Sequence, residues 1–228
     1  MRALIVGDTH LPAVHPGYLS FCKDLAQKYR CNKFIHIGDL VDWHAVSQHD
    51  KQPEAKDALS EFEEARSHIK KWERAFPEMI VLEGNHDARI ARQAATVNIP
   101  QRFLKGYNEL WDTKWEWKLD HKLDNVYFHH GTGTSGQFPA VTTMQKMLMS
   151  VCQGHIHSAG GIWWRANPER RIFGMNTGCG VDDKHIAFTY GEHLKVRSIL
   201  SAGVVLDGTP AHIIMPASRG EKYHRSRF

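Results

Sequence analysis

Gly84-Asn85-His86-Asp87 stands between the apolar run Met79-Ile80-Val81-Leu82 and the segment Ala88-Arg89-Ile90-Ala91-Arg92. The run reads as a buried strand and the segment after it as the start of a helix. The tetrapeptide is therefore a tight turn at a strand's carboxyl end, where open α/β sheets place ligands. Gly84 allows the reversal without a Cβ clash, and the next three residues carry an amide, an imidazole and a carboxylate.

The same punctuation recurs on both sides. Arg2-Ala3-Leu4-Ile5-Val6 ends at Gly7-Asp8-Thr9-His10, and Lys33-Phe34-Ile35-His36-Ile37 ends at Gly38-Asp39. Between them, Tyr18 to Tyr29 has Leu19, Cys22, Leu25 and Ala26 at helical spacing, so a parallel βαβ unit is expected. Pro53 opens a second helical stretch that closes before Pro77, with an apolar stripe Ala58, Phe62, Ala65, Ile69, Trp72 and Phe76. Trp115 to Leu119 alternates with period two and suggests a half-buried antiparallel strand. Asn125-Val126-Tyr127-Phe128 is a further strand, running into His129-His130-Gly131. A helix over about Ala140–Met149 and Val151-Cys152-Gln153 lead to Gly154-His155-Ile156-His157, and Asp207-Gly208 marks a hairpin.

With 228 residues, 42% hydrophobic and 24% charged, the chain can bury its own core, and one domain over residues 1–217 with a basic, loose tail over 218–228 is expected. The apolar runs are too short to cross a bilayer. The sequence begins Met1-Arg2 and enters a strand pattern directly; together with four cysteines lacking any CxxC pairing, this points to a cytoplasmic protein with reduced thiols. A net charge of +4 does not by itself signal nucleic acid.

The strand ends collect Asp8, His10, Asp39, Asn85, His130, His155 and His157. Alternate residues of an extended segment face the same way, so Asp8/His10 and His155/His157 can each form a clamp. Carboxylate, imidazole and amide oxygen without thiolate suit manganese, iron or zinc. Seven ligands exceed one ion's needs and suit two ions ~3.5–4 Å apart sharing a carboxylate. Singly, any of these histidines is more often a surface or core residue; their joint position at strand ends favours a metal centre. His129 competes with His130 for the same role.

The series Asp8-x-His10, Gly38-Asp39-x-x-Asp42, Gly84-Asn85-His86-Asp87, His130-Gly131 and Gly154-His155-x-His157 resembles the calcineurin-like metallophosphoesterase superfamily, with all five blocks in family order. Met175-Asn176-Thr177-Gly178 is similar to a further, looser family turn. The resemblance implies a four-layer α/β/β/α sandwich of two mixed sheets. It assigns Asp8, His10, Asp39 and His157 to one divalent ion and Asn85, His130, His155 and again Asp39 to the other. Manganese is favoured, with iron, zinc, nickel and cobalt as alternatives. It implies hydrolysis of a phosphoester by a hydroxide bridging the ions, with His86 as general acid. Asp87 is expected to orient the His86 imidazole, and Asp42 to stand behind the ligands rather than among them.

Protein serine/threonine phosphatases carry arginine and glutamate where this chain has Trp43 and Asp87, so that branch is disfavoured. The blocks are nearer those of phosphodiesterases and Mre11-like nucleases, and the chain's size is similar to small stand-alone members, including phage-encoded ones. Trp43, His44, Trp163, Trp164 and Arg165 are candidate substrate contacts, since aromatics and arginine stack on bases. Arg170, Arg171, Lys222, Arg225 and Arg227 are candidate phosphate contacts. The expected substrate is a nucleotide or nucleic-acid phosphodiester. The alternatives are a broad phosphomonoesterase and a silent interaction module on the same fold.

Overall fold

The computed structural model describes residues 1–48, 54–185 and 197–216. The first half alternates strand and helix: β1 (Arg2–Val6), α1 (Tyr18–Lys28), β2 (Lys33–His36), α2 (Ala58–Ala75), β3 (Met79–Leu82), α3 (Arg89–Thr96), α4 (Tyr107–Trp111) and β4 (Glu116–Lys118). The second half contributes β5 (Asp120–Leu123), β6 (Val126–His129), α5 (Pro139–Met147), β7 (Ser150–Gln153), β8 (Gly160–Ala166) and β9 (Arg171–Thr177). The hairpin β10 (Ser201–Leu206) and β11 (Thr209–Ile214) then returns to the first sheet.

One sheet has the order β11-β10-β1-β2-β3-β4 and the other β5-β6-β7-β9-β8. Both are mixed. β1 to β4 run parallel, β10 is antiparallel to β1, and β11 is antiparallel to β10. In the second sheet β6, β7 and β9 are parallel, flanked by antiparallel edges β5 and β8. Leu206 pairs with Thr209 around Asp207-Gly208, both at positive φ, which is the two-residue turn that matches strand twist.

The sheets meet face to face through Ala3, Ile5, Ile35, Leu82 and Val205 against Val126, Phe128, Cys152, Phe173 and Met175. The alternate residues Leu4, Val6, Met79 and Val81 turn to the other side and pack with Cys22, Leu25, Ala65, Ile69 and Trp72 of α1 and α2. Burial on both faces is why these strands read as unbroken apolar runs. α5 covers the outer face of the second sheet, where Gly174 leaves room for the Ala140 backbone. The result is an α/β/β/α sandwich. All four cysteines are free thiols. No helix among the described residues is long and apolar enough to cross a membrane.

Three expectations are corrected. β4 is parallel to β3, not antiparallel: the connection passes through α3 and α4 as a crossover, and period-two alternation carries no information about strand direction. α2 begins at Ala58, capped by the Asp57 carboxylate, which accepts from the amides of Leu59 and Ser60; Pro53 lies outside the described residues, as does the tail over 218–228. Trp43 does not face solvent. It is 6% exposed and sits between Phe62 (ring centroids 6.2 Å apart) and Trp111 (5.3 Å). Its left-handed backbone, φ 54, turns the ring inward. Trp43→Ala should therefore cost about 3–5 kcal/mol of stability, as for other large aromatic deletions in cores. Urea unfolding measures this; unchanged stability with a raised KM would return Trp43 to the substrate.

Candidate metal centre

Every cluster residue leaves the carboxyl end of a strand: Asp8 and His10 after β1, Asp39 after β2, Asn85 after β3, His130 after β6, and His155 and His157 after β7. The loops approach closely because two glycines allow it. A Cβ on Gly84 would overlap Asp39 Oδ1, and one on Gly154 would overlap Asp8 Oδ1. His10, Asp39 and His155 adopt positive φ (47, 51 and 71°). Such backbones cost on the order of 1–3 kcal/mol each and gather where function demands a geometry.

Asp8, His10, Asp39 and His157 each present a ligand atom within 4.8 Å of the others, and Asp39, His130 and His155 form a second such group. His10 Nε2 is 3.0 Å from His157 Nε2 and 3.5 Å from Asp39 Oδ2. On the far side of Asp39, His130 Nε2 lies 3.3 Å from Asp39 Oδ2, 3.0 Å from Asn85 Oδ1 and 3.2 Å from His155 Nδ1. Asp39 Oδ1 accepts from the His86 amide at 2.7 Å, fixing the carboxylate between the two groups.

The donor set fits divalent cations. Ligands about 2.1 Å from one ion are separated by roughly 3.0–3.4 Å from each other, and the nitrogen and oxygen spacings above lie in or near that range. Asp8 Oδ2 accepts from the His155 amide (2.8 Å) and lies 3.3 Å from His157 Nε2, while its buried Oδ1 has no hydrogen-bond partner. An unpartnered buried carboxylate oxygen calls for a cation. His10 and His130 are oriented as metal-binding histidines commonly are. His10 Nδ1 is held by Asp42 Oδ1 (2.8 Å) and His130 Nδ1 by the Ile37 carbonyl (3.2 Å), leaving both Nε2 atoms aimed inward. Burial, with the nearby His86, lowers His10 to about 4, so it is neutral. Burial alone would raise Asp8 and Asp39. For Asp8 the His157 hydrogen bond and the His130 charge outweigh it, and for Asp39 the charge and hydrogen bond of His130 do; both stay below the usual carboxylate range. Burial pulls His130 down, but Asp39 and Asp8 more than reverse this and raise it to about 9.

His86 adjoins the His10 side of this centre. Its ring centroid is 4.4 Å from that of His10, and its Nδ1 is 3.0 Å from Asp42 Oδ1 and 2.9 Å from the Asp42 carbonyl oxygen. Asp42 thus joins two imidazoles. Burial opposes protonation of His86, yet the Asp42 hydrogen bond and the Asp39 and Asp42 charges raise its pKa. Asp87 does not orient this ring. Its buried carboxylate accepts from the amides of Gly84 (2.9 Å), Val41 (3.2 Å) and Leu40 (3.3 Å), tying the β3 turn to the β2 loop. Burial and the nearby Asp39 charge push it up to about 7. The turn places its side chain against main chain, while the imidazole is bonded by Asp42.

His129 and His130 point to opposite sides of β6. His129 stacks on Tyr127 at 5.2 Å and lies 3.0 Å from Gln153 Oε1, away from both groups. Trp163 and Trp164 likewise face opposite ways on the edge strand β8, so they form no common wall. Trp163 rests on Phe138 (5.0 Å) and Trp164 on Phe173 (5.6 Å), with Arg171 over the Trp164 ring. Arg165 is exposed on β8. His44 opens a short turn whose amides at His44 and Ala45 donate to Glu61 (2.7 Å each), and it lines a cavity of about 70 Å³ beside Asp42. Asn176 is buried and its Oδ1 accepts from the Ala140 amide, tying β9 to α5.

Two supporting residues escaped the sequence reading. Arg89 donates to the carbonyls of Asp42 (2.8 Å) and Trp43 (3.0 Å), and its Nη2 is 3.2 Å from His86 Nε2. Its position three residues after His86, one helical turn on, was the available signal. His36 lies buried within β2; its ring bonds Thr9 Oγ1 (3.0 Å) and the Gly38 amide (3.3 Å), bracing the loops that carry Asp8 and Asp39.

No curated protein sequence matches the chain. Among solved structures it is similar to Yfce, a phosphoesterase from E. coli, at 13% identity over 95% of this chain and 100% of that one, TM-score 0.42. It is also similar to nuclease MPE from Pseudomonas putida (16% identity, 93% and 87%, TM-score 0.40) and to vacuolar protein sorting 29 from Cryptosporidium parvum (9% identity, 96% and 98%, TM-score 0.45). The family description that matches in sequence spans residues 1–197, and so includes every loop that feeds the two ligand groups. With its two-sheet sandwich and its metal-ligand clusters, the chain belongs to the calcineurin-like phosphoesterases.

Proposed function

We propose that the chain is a phosphodiesterase that uses two divalent ions, with a nucleotide or nucleic-acid diester as substrate. The observation that carries this reading is the pair of ligand groups sharing Asp39. Asp8, His10, Asp39 and His157 would hold one ion, and Asp39, Asn85, His130 and His155 the other, with manganese favoured for this oxygen and imidazole set. When bound, such ions neutralise phosphate charge and lower the pKa of water. The chain's own part is to fix these ligands and to present His86. Asp42 holds Nδ1 of that imidazole and favours its protonated form; Nε2, which Arg89 Nη2 faces at 3.2 Å, is the nitrogen that would give its proton to the departing alkoxide once the guanidinium turns aside.

A diester is favoured over a monoester by charge. Arg89 and Arg92 both bond residues of the centre, and both commit donors to main-chain oxygens: Arg89 to Asp42 and Trp43, Arg92 to Asn85. That is a poor clamp for a dianion. With manganese, bis-nitrophenyl phosphate should be cleaved with kcat/KM on the order of tenfold above nitrophenyl phosphate. Cyclic nucleotides, dinucleotides and short single strands form the natural panel, with a phosphopeptide as control. Preference for the monoester or the phosphopeptide would leave a general phosphatase and remove the diester reading.

A further inference from the structure

A cleft of about 340 Å³ opens beside Asn85 and His130, between α3 and the β5–β6 end of the second sheet. Arg92 lines one wall; Leu119, Tyr127 and His129 line the other. Resting on the proposed diesterase activity, we infer that this cleft binds the ester arm that stays on phosphorus, and that the arm it selects is a flat aromatic group, a nucleobase or an aryl ring.

Position argues for the retained arm. His86 lies against His10 and Asp42, at one end of the centre. The cleft begins at Asn85 and His130, which belong to the group on the other side of Asp39. If the departing oxygen takes its proton from His86, the arm that does not depart extends toward the opposite end, into the cleft.

The lining argues for a flat group. Tyr127 and His129, two apart on β6, project from the same face and stack with an interplanar angle of 21°. His129 is held by Gln153 and Lys122 Nζ lies over the Tyr127 ring, 5.8 Å from its centroid, so the aromatic pair is fixed in place and an incoming ring displaces only that ammonium. Leu119, 74% exposed, extends it with apolar area that gains nothing from water. Across the cleft, Arg92 is held by the Asn85 carbonyl at 2.7 Å. A guanidinium there can face the next phosphate of a nucleotide chain, or the edge of the base. Stacking of a base on an aromatic side chain is worth about 1–3 kcal/mol, which is roughly a 5- to 150-fold effect.

The test compares two diesters with the same leaving group: bis-nitrophenyl phosphate, whose retained arm is aryl, and methyl nitrophenyl phosphate, whose retained arm is methyl. The wild-type protein should prefer the first in kcat/KM by about tenfold. Tyr127→Ala should bring the ratio close to one, and Tyr127→Phe should keep it. Calorimetric titration with thymidine 5′-monophosphate should show the same order, with Kd raised about tenfold in Tyr127→Ala and little changed in Tyr127→Phe. Equal efficiency on both esters in the wild type, or a ratio and Kd that survive Tyr127→Ala, overturns the inference while leaving the phosphoesterase reading intact. If the wild type cleaves neither ester, the diesterase reading fails first; weaker thymidine monophosphate binding in Tyr127→Ala would still support the cleft, and unchanged binding would remove both.

Discussion

Asp39→Asn should lower kcat/KM by more than roughly 10³ and weaken both metal sites together. The carboxylate lies 3.5 Å from His10 Nε2 on one side and 3.3 Å from His130 Nε2 on the other, and its second oxygen is fixed by the His86 amide. Removing even an outer partner of a metal ligand costs 10- to 100-fold in affinity, so neutralising a ligand common to two sites should cost at least about 100-fold at each. Loss of charge neutralisation and of an activated water then accounts for the fall in rate. His157→Ala is the contrast. His157 touches His10 and Asp8 but belongs to one group only, so it should weaken one ion and leave the other bound. Metal titrations of the two variants separate a shared ligand from an ordinary one; equal, single-site losses would mean that Asp39 does not bridge.

His86→Ala should retain both metals and the fold while losing roughly 10²–10⁴ in rate on esters with poor leaving groups. The loss should shrink for nitrophenolate, which departs without much protonation. Its environment motivates the expectation: Asp42 grips Nδ1, and the neighbouring carboxylates favour the charged ring against burial. Asp42→Asn should lower the rate in the same direction and also weaken metal binding, because it releases His10 as well as His86. An equal loss for good and poor leaving groups would make His86 a positioning residue. Loss of metal in His86→Ala would place it among the ligands.

Much of the sandwich was readable from the chain. The runs at Arg2–Val6, Lys33–His36 and Met79–Leu82 have mainly apolar centres because both faces are buried there, and each is followed by a glycine-containing loop that stops the strand. The residues after those stops could be picked out because strand ends of a parallel sheet converge on one edge. What spacing could not convey was side-chain direction within loops. Trp43 follows Asp42 directly, yet a left-handed backbone sends its ring into the core. Asp87 adjoins His86, yet bonds three amides, while Asp42, far away in sequence, takes the imidazole. The cleft was equally hidden, since Arg92, Leu119 and Tyr127 come from three elements that meet only through tertiary packing.

The count of metal ions per chain tests the central claim most directly. The protein, freed of metal and then equilibrated with excess manganese, should hold two ions per chain by elemental analysis against protein concentration. Two groups of ligand atoms that share Asp39 are the basis of that expectation. One ion per chain, or none, would contradict the shared-carboxylate centre and the two-ion chemistry built on it.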